Sequence, residues 1–251
     1  MARKVISFSL FGGGAKYCQG MLTNMELKQQ FFPDWEIMIY HDDSVPDVIL
    51  GALERKGATL KNVTGFGVLP ASWRFLAYDE PDVERFICRD ADSRLSQREA
   101  VAVKEWEDSD KQIHIMRDHP HHGSPMHGKP ILGGMWGMKV YRPNGSPALA
   151  DYTMYSIILD HQGDEVFSKD RNKWFWTDMW FLRDAIYASY GNEYDSKVHA
   201  ARDYMHKVKW CNEPWAEDFP TKRNEQRNFV GEVFIFDENG KEKREWQYKE
   251  I

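Results

Sequence analysis

The first half of the chain alternates short apolar runs with amphipathic segments, which restricts it to an α/β domain built on a largely parallel sheet. Val5 to Phe11 reads as the first strand. Gly12-Gly13-Gly14 ends that run and permits close backbone approach before a helix over Tyr17 to Gln30, which Pro33 stops. Glu36 to His41 supplies a second strand, Pro46 to Lys56 a helix and Thr59 to Val63 a third strand. Ser72 to Tyr78 reads as a short helix. Val83 to Cys88 is a strand that runs directly into Arg89-Asp90-Ala91-Asp92-Ser93-Arg94, placing an acidic turn at a strand's carboxyl end. Ser96-Gln97-Arg98-Glu99 is a capping box and predicts a helix from Gln97 to Ser109, with a further strand over Gln112 to Met116.

Beyond Arg117 the pattern breaks. His, Gly and Pro dominate up to Pro130, which predicts a loop. Residues 131–140 are apolar and glycine-rich, and Ala148 to Leu159 and Trp174 to Ser189 carry helical patterns. Phe229 to Phe236 and Lys241 to Tyr248 flank Asp237-Glu238-Asn239-Gly240, a hairpin whose Asn-Gly pair favours a type I′ turn.

With 251 residues, the chain is long enough for one substantial core. Its formal charge of -6 offers no global basic surface for polyanions, so an anionic ligand must be met locally. Cys18, Cys88 and Cys211 are odd in number and widely spaced, which suits a reducing compartment and a cytoplasmic reading. Met1 to Lys4 before the apolar run has the outline of a signal peptide, but the glycines cut it short and a buried strand is the better account.

Asp90 and Asp92 are two residues apart, so in an extended segment both carboxylates point to one side and can share a divalent cation. Oxygen donors select Mg²⁺ or Mn²⁺, which would hold a diphosphate. Arg89 and Arg94 flank the pair, either neutralising it or contacting phosphate. Trp73-Arg74 precedes the strand, and Trp73 either stacks on a base or packs in the core. The histidines of the loop, His119, His121, His122 and His127, are competent zinc ligands with irregular spacing; a loop over the active site is the more economical reading. Asp178 lies within an aromatic helix, where it acts as a general base or sits at a helix N-terminus favoured by the dipole. His199 and His206 are late residues, either of which would complete a metal shell or pack as an ordinary histidine.

Phe86 to Arg94, Arg98-Glu99, Ala102-Val103, Glu105-Trp106, His114 to Pro120 and Gly133-Gly134-Met135-Trp136-Gly137 together resemble a group of small glycosyltransferase-like proteins from viruses and bacteria. The resemblance is strongest from Trp73 to Gly137, with echoes in Asp178 to Leu182 and Asn228 to Phe234. It implies a single GT-A-like, Rossmann-like α/β domain over 1–251, with a mixed, mainly parallel central sheet and a C-terminal β-hairpin. Residues 1–137 would form the nucleotide and donor part, and 138–251 the acceptor side with the hairpin. It further implies a nucleoside-diphosphate sugar donor, a UDP-sugar favoured, and Mn²⁺ or Mg²⁺ at Asp90 and Asp92; His199, read from the residues alone, is the candidate further ligand. Phe11, Gly12, Trp73, Arg74, Arg89 and Asp90 would meet the nucleotide, and Gly133 and Gly134 would line the donor sugar. Asp178 or Asp118 would take the acceptor's proton in an inverting reaction.

The favoured acceptor is a saccharide, glycolipid head group or glycan. Hydroxymethylated pyrimidines in phage DNA come second, served by Lys207, Lys209, Lys222, Arg223 and Arg227. A metal-dependent phosphoesterase using Asp90, Asp92 and the loop histidines, and a non-catalytic sugar- or nucleotide-binding module, are the competing classes.

Overall fold

The computed structural model describes residues 2–123, 128–163, 176–202, 213–224 and 226–245. Strand β1 (Arg3–Leu10) leads into α1 (Ala15–Phe31), β2 (Glu36–His41), α2 (Asp47–Arg55) and β3 (Thr59–Asn62). A 3₁₀ segment (Pro70–Asp79) then precedes β4 (Val83–Arg89), α3 (Gln97–Glu107) and β5 (Ile113–Arg117). After β6 (Trp136–Lys139) come α4 (Met154–Gln162), α5 (Thr177–Phe181) with a π-helical continuation (Leu182–Tyr187), β7 (Ser196–Ala200), β8 (Phe234–Phe236) and β9 (Glu242–Arg244).

The central sheet has the order β3-β2-β1-β4-β6-β5-β7, parallel except for β6, and β8 and β9 form a separate antiparallel hairpin. The mixed, mainly parallel sheet and the C-terminal hairpin of the expected fold class are therefore present. The chain moves outward from β1 through β2 to β3, then returns to the other side of β1 with β4. Such a reversal opens a crevice at the strands' carboxyl ends, where open α/β sheets bind ligands.

Period-two alternation distributes β1, β2 and β4 between two cores. Ile6, Ile39 and Ile87 face α1 and α3, packing with Met21, Met25 and Trp106. Val5, Tyr40, Phe86 and Cys88 face the 3₁₀ segment and the helices after β6, packing with Phe75, Trp136 and Phe181. Ser96 caps α3 by accepting the Glu99 N–H at 3.2 Å.

Three local expectations change. Ser72 to Tyr78 lies in 3₁₀ rather than α geometry, its backbone fastened to β1 by Ser7 and Ser9. The hairpin turn is not type I′: Asp237 N–H donates to Lys241 O at 3.0 Å and Gly240 alone takes a positive φ of 72°. The result is a three-residue connection with glycine in the left-handed position, and Asp237 Oδ1 accepts the Asn239 and Lys241 N–H groups. Strand β7, which the helix-strand pattern did not reveal, pairs in parallel with β5 and closes that edge of the sheet. Trp174, Phe175, His127, His206, Lys207, Lys209, Cys211 and Trp246 to Tyr248 lie outside the described residues. Among the described residues, no helix is long and apolar enough to cross a membrane.

Candidate functional site

Two serines of β1, Ser7 buried and Ser9 partly so, begin the site. Ser7 Oγ donates to Arg74 O at 2.7 Å, and Ser9 Oγ accepts Arg74 N–H at 3.0 Å, so the strand holds the Arg74 backbone at both polar groups. The Arg74 side chain is thereby directed at the end of β4. Its Nη1 donates to Asp90 Oδ1 and, at 3.1 Å, to Arg89 O; its Nη2 donates to Asp178 Oδ2 at 3.3 Å. One buried guanidinium thus joins the acidic turn after β4 to the start of α5.

Gly133 and Gly134 lie directly against this chain. A Cβ added to Gly133 would overlap Asp178 Oδ2 and Arg74 Nη2, and one added to Gly134 would overlap Asp90 Oδ2. Glycine is required here by close approach, since neither residue has a positive φ. Residues Arg74, Asp90, Gly133, Gly134 and Asp178, singled out separately in sequence, meet at one place.

The electrostatics differ among the three carboxylates. Asp90 is half exposed, with 47% of its side chain accessible, and one oxygen is taken by Arg74. Asp92 is largely buried; desolvation first, and the Asp90 charge second, raise its proton affinity above the usual carboxylate range, while Lys16 opposes the shift from 2.9 Å. Asp178 is raised chiefly by burial, against the lowering effect of Arg74. Burial likewise raises the Tyr17 hydroxyl, with the Asp92 charge adding to it.

At the carboxyl end of β1, Gly12 takes a φ of 73° and its N–H donates to Ser44 Oγ at 2.7 Å. Phe11 is 46% exposed and meets Trp73 edge to face, with ring centroids 5.8 Å apart. Trp73 itself is buried, its indole N–H donated to Val68 O at 2.7 Å. Packing therefore describes Trp73, and Phe11 is the aromatic face offered to the crevice.

Three assignments are corrected. Arg89 is 1% exposed, pairs with Glu99 and donates to Cys88 O and, at 3.3 Å, to Trp136 O, so it is not placed to receive a phosphate. Its period-two relation to Ile87 turns it toward α3, where Glu99 also accepts the Ser96 N–H. Asp118 is fully buried, held by Arg98 through two 2.8 Å bonds and by Arg223 at 2.8 Å, and accepts Val230 N–H at 2.9 Å. A carboxylate so saturated is structural rather than a base open to an acceptor. His199 Nε2 donates to Glu105 at 3.0 Å and its Nδ1 shares a 2.8 Å bond with His114 Nε2, so both nitrogens are committed away from Asp90 and Asp92.

Loop histidines His119 and His122 pack against Phe229, with centroids 4.5 and 5.6 Å away, and His122 Nδ1 accepts Asp118 N–H at 3.0 Å. Burial lowers their pKa values to about 4 and about 3, which keeps both neutral. Among the described residues, no three His, Cys, Asp or Glu side chains gather as a metal cluster. Asp90 and Asp92 offer hard oxygen donors close enough for the Asp90 charge to raise Asp92, each already beside one side-chain cation, Arg74 and Lys16, and Mg²⁺-type sites commonly take one or two carboxylates, with phosphate and water completing the shell.

No protein-family model matches the chain, and no curated protein matches it. Among solved structures, S. aureus TarS 1-349 aligns at 20% identity over 47% of this chain and 36% of that one, with a TM-score of 0.36. The 4-diphosphocytidyl-2C-methyl-D-erythritol synthase of Anaerococcus prevotii aligns at 10% identity over 83% and 95%, with a TM-score of 0.41. At these scores neither likeness carries an argument about function.

Proposed function

We propose that the chain is a nucleotide-sugar-dependent glycosyltransferase that moves a sugar from a nucleoside-diphosphate donor, a UDP-sugar favoured, to an acceptor hydroxyl. The observation that carries this reading is the Asp90–Arg74–Asp178 chain beneath Gly133-Gly134, at the carboxyl ends of β1 and β4. Such a site places a base oriented by a guanidinium, Asp178, beside an acidic turn at the ligand crevice.

In this reading Phe11 presents its ring to the base and the Gly12 turn lets the nucleotide approach the backbone. Asp90 and Asp92 would hold Mn²⁺ or Mg²⁺, which when bound supplies electrostatic stabilisation to the departing diphosphate. Gly133 and Gly134 let the backbone come against Asp178 and Asp90, where the donor sugar would lie. Asp178 accepts the proton of the acceptor hydroxyl, its proton affinity raised by burial and its carboxylate oriented by Arg74. Arg74 is a positioning residue that keeps Asp178 ionised before the proton arrives.

The acceptor is proposed to be a saccharide or glycolipid head group. Trp180, two residues after Asp178, is 44% exposed, and an indole face suits the apolar face of a sugar ring, whereas Trp176 carries the Lys129 ammonium over its ring at 3.4 Å. The DNA reading is disfavoured because Arg223, one of its expected cations, is committed to Asp118 and to Asn228 O.

Calorimetric titration with a panel of nucleoside diphosphates and nucleotide sugars, with and without Mn²⁺, tests the donor assignment. Binding strengthened by Mn²⁺ and lost in Asp92→Ala is expected. Asp178→Asn should retain donor binding and lose turnover. A folded protein that binds no member of the panel would overturn the reading.

A further inference from the structure

Lys16 is the second residue of α1, in a first turn that holds no acidic side chain. A cation there opposes the helix dipole, which favours negative charge at that end. Two carboxylates from distant parts of the chain hold it: Lys16 Nζ lies 2.9 Å from Asp92 Oδ2 and 3.0 Å from Glu245 Oε2. The ammonium also sits 5.5 Å from the centre of the Tyr17 ring.

Asp92 is at the same time the attachment point of the C-terminal hairpin. Its carbonyl accepts Phe234 N–H at 2.8 Å, Ser93 bridges to Val233, and Arg94 meets Glu242 at 2.6 Å. Glu245 closes the arrangement by donating its N–H to Val233 O at 2.9 Å. One ammonium therefore connects the acidic turn, the first helix and the segment leaving β9.

We propose that Lys16 is the resident cation of the Asp90–Asp92 turn, displaced from Asp92 when a divalent ion is taken up, so that loading the turn undoes a fastening of the C-terminal hairpin. The inference rests on reading this turn as a cation and diphosphate site. Its physical basis is that two cations a few ångströms apart in a partly buried site repel, so an incoming ion must drive the ammonium off the shared carboxylate. With Asp92 occupied, Lys16 keeps only Glu245, and its side-chain link between turn and hairpin is lost, leaving Arg94–Glu242 and the backbone bonds to hold the hairpin.

Mn²⁺ binding, followed by the electron paramagnetic resonance signal of free Mn²⁺ without nucleotide, provides the test on wild type, Lys16→Met and Lys16→Arg, each checked for folding by circular dichroism. Lys16→Met should bind Mn²⁺ at least about tenfold tighter, the low end of what removing an adjacent like charge is worth, and Lys16→Arg should stay near wild type. Hydrogen exchange over residues 233–245 should quicken in wild type on adding Mn²⁺ and be already fast and insensitive in Lys16→Met. Equal or weaker Mn²⁺ binding in Lys16→Met, or wild-type exchange that Mn²⁺ leaves unchanged, would overturn the proposal. Absence of Mn²⁺ binding in both proteins would also sink it, while nucleoside diphosphate binding by the same samples would leave the donor-site reading standing. Mn²⁺ binding tightened by Lys16→Met without nucleotide binding by either protein would do the reverse.

Discussion

Arg74 Nη2 donates to Asp178 Oδ2 at 3.3 Å across 104 positions of sequence. Burial raises the proton affinity of Asp178, and the nearby guanidinium is the main influence pulling it back down. Replacing Arg74 with Met should therefore push the Asp178 titration further up, as followed by carbon-13 NMR of the carboxyl group. Donor binding should weaken in the same variant because Asp90 loses its partner. An unmoved Asp178 titration would refute the coupling.

Gly134→Ala and Gly133→Ala should abolish donor binding in a protein that still folds, because the new Cβ displaces chiefly the ends of the Asp90, Asp178 and Arg74 side chains that build the site. Gly137→Ala provides the contrast. Its Cβ would lie 2.7 Å from Phe86 O and from Ile87 Cγ2 inside the sheet, so the cost should appear as about 1–3 kcal/mol of lost stability. Calorimetric titration beside urea unfolding separates the two outcomes.

Phe11→Ala should leave the melting temperature nearly unchanged, since the ring is 46% exposed. If the ring receives the base, nucleoside diphosphate affinity should fall by the equivalent of about 1–3 kcal/mol, the usual worth of one stacked base. Trp73→Ala should instead destabilise the fold, its ring being buried. Equal affinity in Phe11→Ala would remove the residue from the donor site.

Asp118→Asn should behave as a stability variant. It weakens a fully buried carboxylate's pairing with Arg98 and Arg223, and breaking a buried pair costs about 3–5 kcal/mol. Urea unfolding should show the loss, while donor affinity measured on the folded protein stays close to wild type. A lost affinity without a stability change would return Asp118 to the site.

Acid should destabilise the fold through its buried histidines. His122 and His119 have folded pKa values lowered to about 3 and about 4, below the ~6.5 of an unfolded chain. Their contribution is complete above that unfolded value and is lost as pH falls toward the folded ones, by up to ~1.4 kcal/mol per pH unit for each. The raised carboxylates Asp92, Glu99 and Asp178 act with the opposite sign, being relieved by protonation. The difference between wild type and His122→Asn isolates the histidine. Urea midpoints at pH 7, 6 and 5 should fall less steeply in the variant.

Much of the first half of the chain was legible in the sequence. Apolar alternation located β1, β2 and β4, and Ser96 with Glu99 located the start of α3. Asp178 was visible as an acid in an aromatic segment and Asp90 as part of an acidic turn after a strand, whereas Arg74, Gly133 and Gly134 drew their roles from the family resemblance, and the five meet at one place. Lys16 was not singled out, because the predicted helix begins at Tyr17, and its partners Asp92 and Glu245 could not be inferred from local sequence. Strand β7 was missed because five residues containing Lys and His look like surface until β5 is beside them.

The sequence by itself determined the elements and which faces of them are apolar, because backbone sterics and hydrophobic period act over a few residues. Tertiary structure alone decided the ionic roles. Arg89 and Asp90 are neighbours, yet the arginine is sealed against Glu99 and the aspartate opens to the crevice. Asp118 and Asp178 are both buried acids, one closed over by two arginines and the other held by one at the edge of the crevice. Ion pairing is set by which distant segments the sheet brings within a few ångströms, and burial then determines whether a charge is locked or available. Neither quantity is written in local sequence.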